Sequence, residues 1–414
     1  MAAPPLAGIR VADFTWVWAG PYCTLQLGYM GAEVIRVETR TRLCVTRHMT
    51  PMADGKAGPN RSGYFNQYNQ NKKSISINLR SAEGRAVAKR LALASDVVTN
   101  NFAAGVMDRL GLGYEELRKS KPDIIMITMS GFGETGPLRE YVAYGPAQVP
   151  LSGLSALTGY KGGPPLHVGF SYGDPNGGVH GAFAVLAALY HRARTGEGQY
   201  IDLSQWETSV AMVAEGVLEY QMMGEQEPER MGNRDHWNAP HGVFRTKDMA
   251  EKVAGRSIDM WVSIAVASDD QFRRLAAAIG RPGMGSDPRY ATFAARKQNE
   301  DELEAIITDW TSTRYAREVE EILQDAGVPA AIVSTNKDLF EDPHLNHRGF
   351  FVELEHPEVG VRKHTGPPWR MDRTPNGVQR AAPVLGQDTD DVMTRVLGYT
   401  AEELAKLREA GALN

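Results

Sequence analysis

The sequence predicts an α/β protein with a large, doubly wound, Rossmann-like domain and a smaller α/β domain. Predicted strands alternate with predicted helices over about the first 200 residues, an order typical of a parallel sheet with helices on both faces. Glycine-rich turns follow several of these strands. The chain has 414 residues, which exceeds the usual size of one hydrophobic core and favours about two domains.

The first half supplies the elements of the large domain. A strand over 9–14 precedes a helix over 21–30, which ends at Gly31. Ser81 has the position of an N-cap before a helix over 82–94. Apolar runs and strand-period alternation predict further strands over 33–38, 74–79, 96–100, 124–129 and 199–203. The strand–helix–strand order at the start predicts a parallel pair.

A glycine-rich turn with a single carboxylate, GFSYGDPNGG over 169–178, leads into an apolar run that ends at Tyr190. Asp174 has the position of a helix N-cap, and Pro175 suits the first helical position, where its missing N–H needs no partner. Asp174 has two possible roles, which do not exclude each other. It can cap the helix, and it can be a carboxylate nucleophile that the helix N-terminus keeps ionised.

Spacing along this central helix predicts its core face. Val179, Phe183, Leu186 and Tyr190 recur at helical spacing, so we expect them to pack inward. A second long helix is expected over 206–223, and the polar stretch that follows suits a linker.

The remaining chain predicts the smaller domain and a C-terminal helix. We expect a large domain over 1–205, a linker region over 206–230, a small domain over 231–335 and a return linker over 336–384. Strands at 260–266 and 330–333 and helices at 269–279, 298–312 and 316–326 build the small domain. Thr400 and Glu403 have capping-box spacing, which predicts a helix over 400–410.

Composition and charge argue against several classes of protein. The net charge is −5 without a sustained basic run, which argues against nucleic acid as a partner. Two cysteines, Cys23 and Cys44, are too few for a disulfide framework and favour the cytoplasm. We expect Cys23 to be packed rather than reactive. The apolar run from Ala182 to Tyr190 is too short to cross a bilayer, and no signal-peptide pattern is evident, so no membrane partner is expected.

Motifs of several enzyme classes are missing from the sequence. The first turn, WVWAGP over 16–21, lacks GxGxxG, and neither GxxxxGK[ST] nor GxSxG occurs. His344 and His347 have no evident third ligand, so no metal site is predicted. What remains is the Asp174 carboxylate, a cationic cluster suited to a small polyanion, and glycine-rich turns at the ends of parallel strands, where ligands bind. The cluster contains Arg36, Arg40, Arg42, Lys72, Lys73 and Arg80.

Several stretches together resemble the family III CoA-transferases, typified by formyl-CoA:oxalate CoA-transferase and carnitine CoA-transferase. They are GIRVADFTWVWAGP (8–21), GAEVIRVE (31–38), NQNKKSISINL (69–79), NFAAGVMDRLGL (101–112), GFGETGP (131–137), Gly173-Asp174 and AALYHRARTGEGQ (187–199). Their order and spacing make the resemblance specific over the first half, and 327–329 and 385–389 also fit. The first turn and the stretch 171–174 also resemble the aromatic-acid branch, such as succinyl-CoA:benzylsuccinate CoA-transferases.

The resemblance implies the chemistry. Asp174 would be the nucleophile that moves CoA from an acyl-CoA, such as succinyl-CoA, to an organic acid through a mixed anhydride and an aspartyl-CoA thioester. CoA thioesters would be substrates, and no tightly bound cofactor is expected. The implied CoA contacts are Asn101, Phe102, Arg109 and Arg80, with Lys72, Arg36 and Arg40 as phosphate partners. Residues expected beside the substrate are Trp18, Gly20, Tyr144, Gly177 and Gly178, and the glycines are candidate oxyanion donors.

Assembly and sequence departures also follow from the resemblance. It implies an interlocked-ring dimer, either a homodimer or a heteromer with a related subunit, and a large domain completed by about 385–414. Trp18 replaces a glutamine of the oxalate enzyme, which suggests a larger and less polar acyl group. The stretch Asn101-Phe102-Ala103-Ala104-Gly105 lacks the family's proline. The glycine-run loop of the oxalate enzyme is missing before Trp261, so we expect 236–241 to shield the anhydride instead.

Two alternatives stay open. α-Methylacyl-CoA racemases share the fold implied by the resemblance and pair the Asp with a His as acid and base. The position of that His is Tyr144 here, and a phenol suits the role poorly near neutral pH, which favours a transferase. A CoA-binding subunit without catalysis is the other alternative, and the presence of Asp174 argues that this chain is the catalytic one.

Overall fold

The computed structural model describes residues 2–142, 144–224, 229–250, 252 and 255–413. The chain divides into two compact units. The first contains Met1–Ala156, His167–Glu227 and His344–Asn414, and the second contains Leu157–Leu166 and Pro228–Pro343.

A six-stranded parallel sheet is the centre of the first unit. Its strands are β1 (Arg10–Asp13), β2 (Glu33–Glu38), β3 (Lys72–Ser76), β4 (Val97–Asn100), β5 (Ile125–Ser130) and β6 (Gln199–Ser204). They lie in the order β3-β2-β1-β4-β5-β6, and every neighbouring pair is parallel. This doubly wound order confirms the predicted α/β fold. β5 is buried throughout, as expected of a strand covered on both faces.

Helices of the first unit up to residue 222 connect and cover these strands. They are α1 (Ala19–Tyr29), α2 (Gly63–Tyr68), α3 (Ala82–Leu93), α4 (Val106–Arg109), α5 (Tyr114–Leu117), α6 (Gly145–Leu151), α7 (Leu154–Leu157), α8 (Gly173–Thr195), α9 (Gln205–Val210) and α10 (Ala214–Met222). Single 3₁₀ turns are Val45–His48, Ala53–Gly55 and Ala211–Val213. The Ser81 hydroxyl accepts the Gly84 N–H, which confirms its predicted capping role.

The predicted core face of α8 is wrong for three of its four residues, whereas Leu186 is partly buried and packs against the core. Val179, Phe183 and Tyr190 are 50%, 73% and 65% exposed. The buried face consists instead of small and medium residues, Gly177, Gly178, Gly181, Ala182, Val185, Ala188 and Leu189. Small residues on this face let α8 approach α1 and β5 closely: a Cβ on Gly178 would lie 2.7 Å from the Ala19 carbonyl oxygen. Backbone proximity therefore decides the buried face, and the larger apolar residues are left outside.

The second unit has its own sheet and core. β7 (His241–Arg245), β8 (Trp261–Ala265) and β9 (Ala330–Ile332) form an antiparallel sheet in that order. Its helices are α11 (Asp269–Ala278), α12 (Phe293–Gln298), α13 (Glu300–Thr311), α14 (Ala316–Asp325) and α15 (Asn336–Glu341), with a 3₁₀ helix at Pro282–Ser286. One apolar cluster, which includes Val262, Phe272, Leu303 and Leu323, joins sheet and helices.

The C-terminal segment returns to the first unit. After α16 (Pro343–His347), a hairpin of β10 (Phe351–His356) and β11 (Gly360–Thr365) lies within the stretch interpreted as a return linker. β11 is largely exposed, whereas Leu354 and His356 of β10 are buried and alternate with the exposed Glu353 and Glu355. The chain ends with α17 (Thr389–Asp391), a π-helical turn at Val392–Val396 and α18 (Ala401–Glu409). Thr400 and Glu403 form the predicted capping box. In the described part of the chain, no helix has the length and apolarity needed to cross a membrane.

Candidate active site

Asp174 lies in the first turn of α8 and lines a cavity of about 660 Å³. The helix begins at Gly173 after Tyr172, and no side chain caps its N-terminus, so the predicted N-cap role of Asp174 is wrong. The carboxylate instead accepts a hydrogen bond from the backbone N–H of Ala19 at the start of α1. Freed from capping, the carboxylate is available to a ligand in the cavity.

The electrostatic setting makes this carboxylate more basic than an ordinary aspartate. Burial raises the pKa of Asp174 to about 6, and the Ala19 N–H only partly opposes this effect. Among the described residues no cation forms an ion pair with it. At neutral pH the group is mainly ionised, as a nucleophile must be, but it is poorly solvated.

Two residues that sequence analysis did not single out surround the Asp174 carboxylate. A Cβ on Gly145 would lie 1.9 Å from Asp174 Oδ2, so only glycine leaves room for the carboxylate. Burial and the nearby charge of Asp174 raise the pKa of Tyr64, which keeps its phenol neutral. Neither residue belongs to a recognisable motif, and only the fold brings them to Asp174.

The turn before α1 positions the Ala19 N–H and is held from several sides. Asn101 makes two hydrogen bonds to the Trp16 backbone, both at 2.7 Å. Its Nδ2 donates to the Trp16 carbonyl oxygen, and its Oδ1 accepts from the Trp16 N–H. The Val17 N–H contacts Cys44 Sγ at 3.2 Å. Val17 has φ 63°, a strained conformation for a β-branched residue. The strain is tolerated because these contacts over-determine the turn.

A buried ionic cluster anchors the same turn. Asp13 accepts hydrogen bonds from the Thr15 N–H at 2.9 Å and from the Thr24 hydroxyl at 2.8 Å. Lys72 Nζ lies 3.3 Å from Asp13 Oδ2 and donates to the Pro21 carbonyl at 2.9 Å. Burial alone would raise the pKa of Asp13, but Lys72 and Arg36 outweigh it and lower that pKa overall. Burial lowers the pKa of Lys72 to about 8.

Arg36 and Lys72 are therefore internal, and the expectation that they meet a phosphate needs correction. Both side chains are 0% exposed, and neither lines the cavity. Arg36 donates to Asn69 at 3.1 Å and lies 3.5 Å from Glu38, which also binds Arg47. Charge neutralisation by Asp13 and Glu38 explains why two cations are stable inside the sheet.

The other predicted CoA contacts lie at the surface of the first unit. Asn101, Phe102 and Arg80 line the cavity that contains Asp174, together with Arg42, whose guanidinium lies 5.2 Å from the centre of the Trp16 ring. Arg109 is exposed on α4, next to the cavity-lining Val106 and Leu110. Arg40 is exposed and donates to the Leu385 carbonyl at 3.3 Å. Neither Arg109 nor Arg40 lines the cavity itself.

The residues predicted beside the substrate fall into three groups. Tyr144 is 67% exposed and lines the Asp174 cavity, whereas Trp18 lines a neighbouring cavity. Gly20 lies in α1, where a Cβ would be 2.3 Å from Thr15 Cβ. Gly177 and Gly178 are buried and pack against Gln205 and α1. These three glycines serve close packing, and Ala19 supplies the observed N–H at the carboxylate.

Cys23 is fully buried, and burial raises its pKa to about 12, which confirms the prediction of a packed thiol. The described residues contain no group of three or more His, Cys, Asp or Glu arranged for a metal ion. The stretch 236–241 lies in the second unit, and its shielding role stays a prediction.

Comparison with known proteins decides the family. A family model for CoA-transferase family III matches residues 6–389. The chain belongs to CoA-transferase family III. The predicted resemblance is confirmed, and the protein is a CoA-transferase of that family.

Individual relatives support this membership across the whole chain. The CoA-transferase is 35% identical to succinyl-CoA–D-citramalate CoA-transferase of Chloroflexus aurantiacus, covering 98% of this chain and 97% of that protein. It is 33% identical to the succinyl-CoA–L-malate CoA-transferase beta subunit of the same organism, covering 98% and 97%. A crystal structure of a CaiB/BaiF family protein from Brucella suis matches with a TM-score of 0.84 and 29% identity, covering 95% of this chain and all of the other.

Proposed function

We propose that this CoA-transferase moves CoA from an acyl-CoA, such as succinyl-CoA, to a carboxylic acid through covalent intermediates on Asp174. The observation that carries the proposal is the Asp174 carboxylate itself. It lines a cavity, makes no ion pair among the described residues and has a pKa raised to about 6 by burial. A poorly solvated, ionised carboxylate is suited to attack a thioester carbonyl.

The proposed donor half-reaction has two steps. The Asp174 carboxylate attacks the thioester carbonyl of the donor, the C–S bond breaks, and the products are an aspartyl–acyl anhydride and CoA thiolate. The thiolate then attacks the aspartyl carbonyl of the anhydride. This step gives an aspartyl-CoA thioester and releases the donor acid as its carboxylate.

The acceptor half-reaction repeats these steps in reverse. The acceptor carboxylate attacks the aspartyl thioester, which forms a new anhydride and frees the thiolate. Attack of the thiolate on the acceptor carbonyl gives the new acyl-CoA and restores the Asp174 carboxylate. No proton, electron or water is consumed, so the exchange balances with the two acids and CoA alone.

Backbone and aromatic groups around Asp174 support these steps. Each addition produces an oxyanion, and the Ala19 N–H, already directed at the carboxylate, is our candidate donor to the oxyanion formed on the aspartyl carbonyl. The neutral phenol of Tyr64 is a second candidate. We favour these two groups over the sequence-based candidates Gly20, Gly177 and Gly178, because all three glycines pack closely against neighbouring atoms.

Cations and apolar residues at the Asp174 cavity support the proposed CoA site. We assign Arg42 and Arg80 to the phosphates, because both are exposed at its edge. Phe102 supplies an apolar wall. Asn101 acts through the turn that it holds, since both ends of its amide bind the Trp16 backbone. Arg109 and Arg40, outside the lining, remain proposed outer contacts.

The test is the mass of the Asp174 peptide after incubation with a panel of acyl-CoA thioesters that includes succinyl-CoA. We expect a CoA or acyl adduct on this peptide in the native protein and none in Asp174→Asn. Binding of the donor to both proteins, shown by displacement, is the control. A bound donor that leaves no adduct on the native protein contradicts the proposal. Deuterium exchange at the α-carbon without CoA exchange would instead support a racemase.

We also propose that a second copy of the chain, in the dimer implied by the family resemblance, covers the apolar face of α8. Val179, Phe183 and Tyr190 are exposed there, and such a patch favours association. Light scattering should give twice the chain mass, and Phe183→Glu should lower the temperature at which this dimer unfolds. A native protein that is monomeric and becomes active only with a related subunit would support the heteromer instead.

A further inference from the structure

We propose that a second cavity, which begins at Trp18 beside the Asp174 site, binds the ring of an aromatic carboxylic acid that serves as substrate. The inference rests on the proposed CoA transfer and adds the chemical class of the acid. It is carried by the lining of this cavity, by its uncharged character and by its position next to the nucleophile.

Seven of the sixteen residues that line this cavity, whose volume is about 500 Å³, are aromatic. They include Trp18, Tyr22, Tyr68, Phe170, Tyr172 and Phe350. The polar members of the lining, such as Gln26 and Asn176, are neutral, and none of the described residues that line the cavity carries a charged side chain. Flat apolar groups bind well in such surroundings.

Ring geometry supports an aromatic guest. The Trp18 ring centre lies 5.2 Å from Tyr68 and 6.3 Å from Phe170, and Phe170 lies 5.1 Å from Tyr172. These tilted and edge-on contacts form a connected set of rings. Phe170 nevertheless remains 46% exposed, so a further ring can pack on it at favourable edge-to-face or offset geometry.

The two cavities share the same chain segments. Tyr64 and Tyr68, one turn apart on α2, line the Asp174 cavity and the aromatic cavity respectively. Asp174 lines one, and its neighbour Pro175 lines the other. Trp18 contacts the Tyr64 ring at 5.5 Å and thus lies at the partition. An acid whose carboxylate reacts at Asp174 would therefore have its hydrocarbon part beside or within the aromatic cavity.

Charge distinguishes this guest from a dicarboxylate. Malate and citramalate, named for two relatives, each carry a second carboxylate. Placing that charge in the aromatic cavity would remove its hydration without an opposing cation. The cations Arg42 and Arg80 line the other cavity, where we assign them to CoA. The aromatic cavity therefore favours an acid with a single carboxylate and a ring.

The experiment measures CoA transfer from one donor to 3-phenylpropionate and to malate. We expect kcat/KM to be at least about tenfold higher for 3-phenylpropionate. Phe170→Ala should raise the KM for this acid about tenfold and leave the KM for the donor unchanged, and Phe170→Tyr should restore it. Phe293→Ala, an exposed phenylalanine in the second unit, is the matched control.

The negative results of these experiments have distinct interpretations. Transfer to malate that equals or exceeds transfer to 3-phenylpropionate, with no effect of Phe170→Ala, overturns the aromatic site, while an Asp174 adduct leaves the proposed function intact. No adduct with a bound donor overturns the proposed function. In that case calorimetry with 3-phenylpropionate decides about the cavity: Phe170-dependent binding supports a ring site, and no binding overturns it.

Discussion

Asp174 is a carboxylate whose chemistry is set by burial. Its pKa is raised to about 6 from the usual value of 3.8. Because only the ionised form attacks, kcat/KM for the acyl-CoA should be level above about pH 7, be halved at about pH 6 and approach a tenfold loss per pH unit below that. Initial rates between pH 5 and pH 8 test this. A profile that stays flat down to pH 5 would contradict the raised pKa.

Gly145 leaves the space in which this carboxylate lies. A methyl group there would approach Asp174 Oδ2 to 1.9 Å, so Gly145→Ala should displace the nucleophile and lower kcat at least about a hundredfold. Circular dichroism and thermal unfolding should show a folded protein. Gly283→Ala is the control, since a Cβ at Gly283 meets no atom within 4 Å. Equal activity of the two variants would exclude the predicted role.

At the scale of elements, the contact between α1 and α8 positions the Ala19 N–H next to the Asp174 carboxylate. A Cβ on Gly178 would lie 2.7 Å from the Ala19 carbonyl oxygen. This oxygen is a backbone atom and cannot move unless the α1 backbone moves with it. Gly178→Ala should therefore separate the helices, lower the free energy of unfolding by about 2 kcal/mol and reduce kcat.

Gly181 offers the matched comparison on the same helix. Its Cβ would meet Met129 Sδ at 2.7 Å and Cys23 Sγ at 3.3 Å, and a methionine side chain can move aside. Gly181→Ala should cost less stability than Gly178→Ala and should retain more activity. Urea unfolding and steady-state rates measure both. The reverse order would show that the backbone contact with Ala19 is not decisive.

At the scale of the whole molecule, the first unit depends on residues far apart in sequence. Val392, Met393, Leu397, Leu404 and Leu413 are buried in one core cluster with residues of the sheet. The Asn78 N–H also donates to the Ala412 carbonyl at 2.8 Å. Each large apolar side chain contributes about 1.5–3 kcal/mol by burial, so their sum rivals the net stability of a domain.

A chain that ends at residue 384 should therefore lose cooperative unfolding of the first unit. The expected result is exposed apolar surface, loss of near-ultraviolet circular dichroism and aggregation. Lys406→Ala is the control, because Lys406 forms an exposed ion pair with Glu402, which contributes little. A truncated protein that unfolds cooperatively at the native midpoint would contradict this account of the core.

The local sequence pattern was sufficient to predict much of the fold and one central residue, Asp174. Alternating apolar runs predicted β2 at Glu33–Glu38 as it is observed, and the ends of the other parallel strands to within three residues. Such runs reflect burial on both faces of a sheet, which any neighbours would impose. Asp174 was identifiable because a charged residue in a glycine-rich turn before an apolar helix is a strong local signal, and the resemblance gave it a role.

Tertiary structure alone decided which groups meet. Lys72 and Arg36 look like ligand cations in sequence, but parallel pairing of β1, β2 and β3 brings both of them near Asp13. Glu38, two residues further along β2, also neutralises Arg36, and these charges hold both cations inside. The donor at Asp174 is a backbone N–H, and every residue type except proline has one, so no sequence pattern reveals Ala19. Tertiary structure also decided which face of α8 is exposed. Periodicity identifies an apolar stripe on the helix, but the distance between neighbouring backbones determines which side is buried.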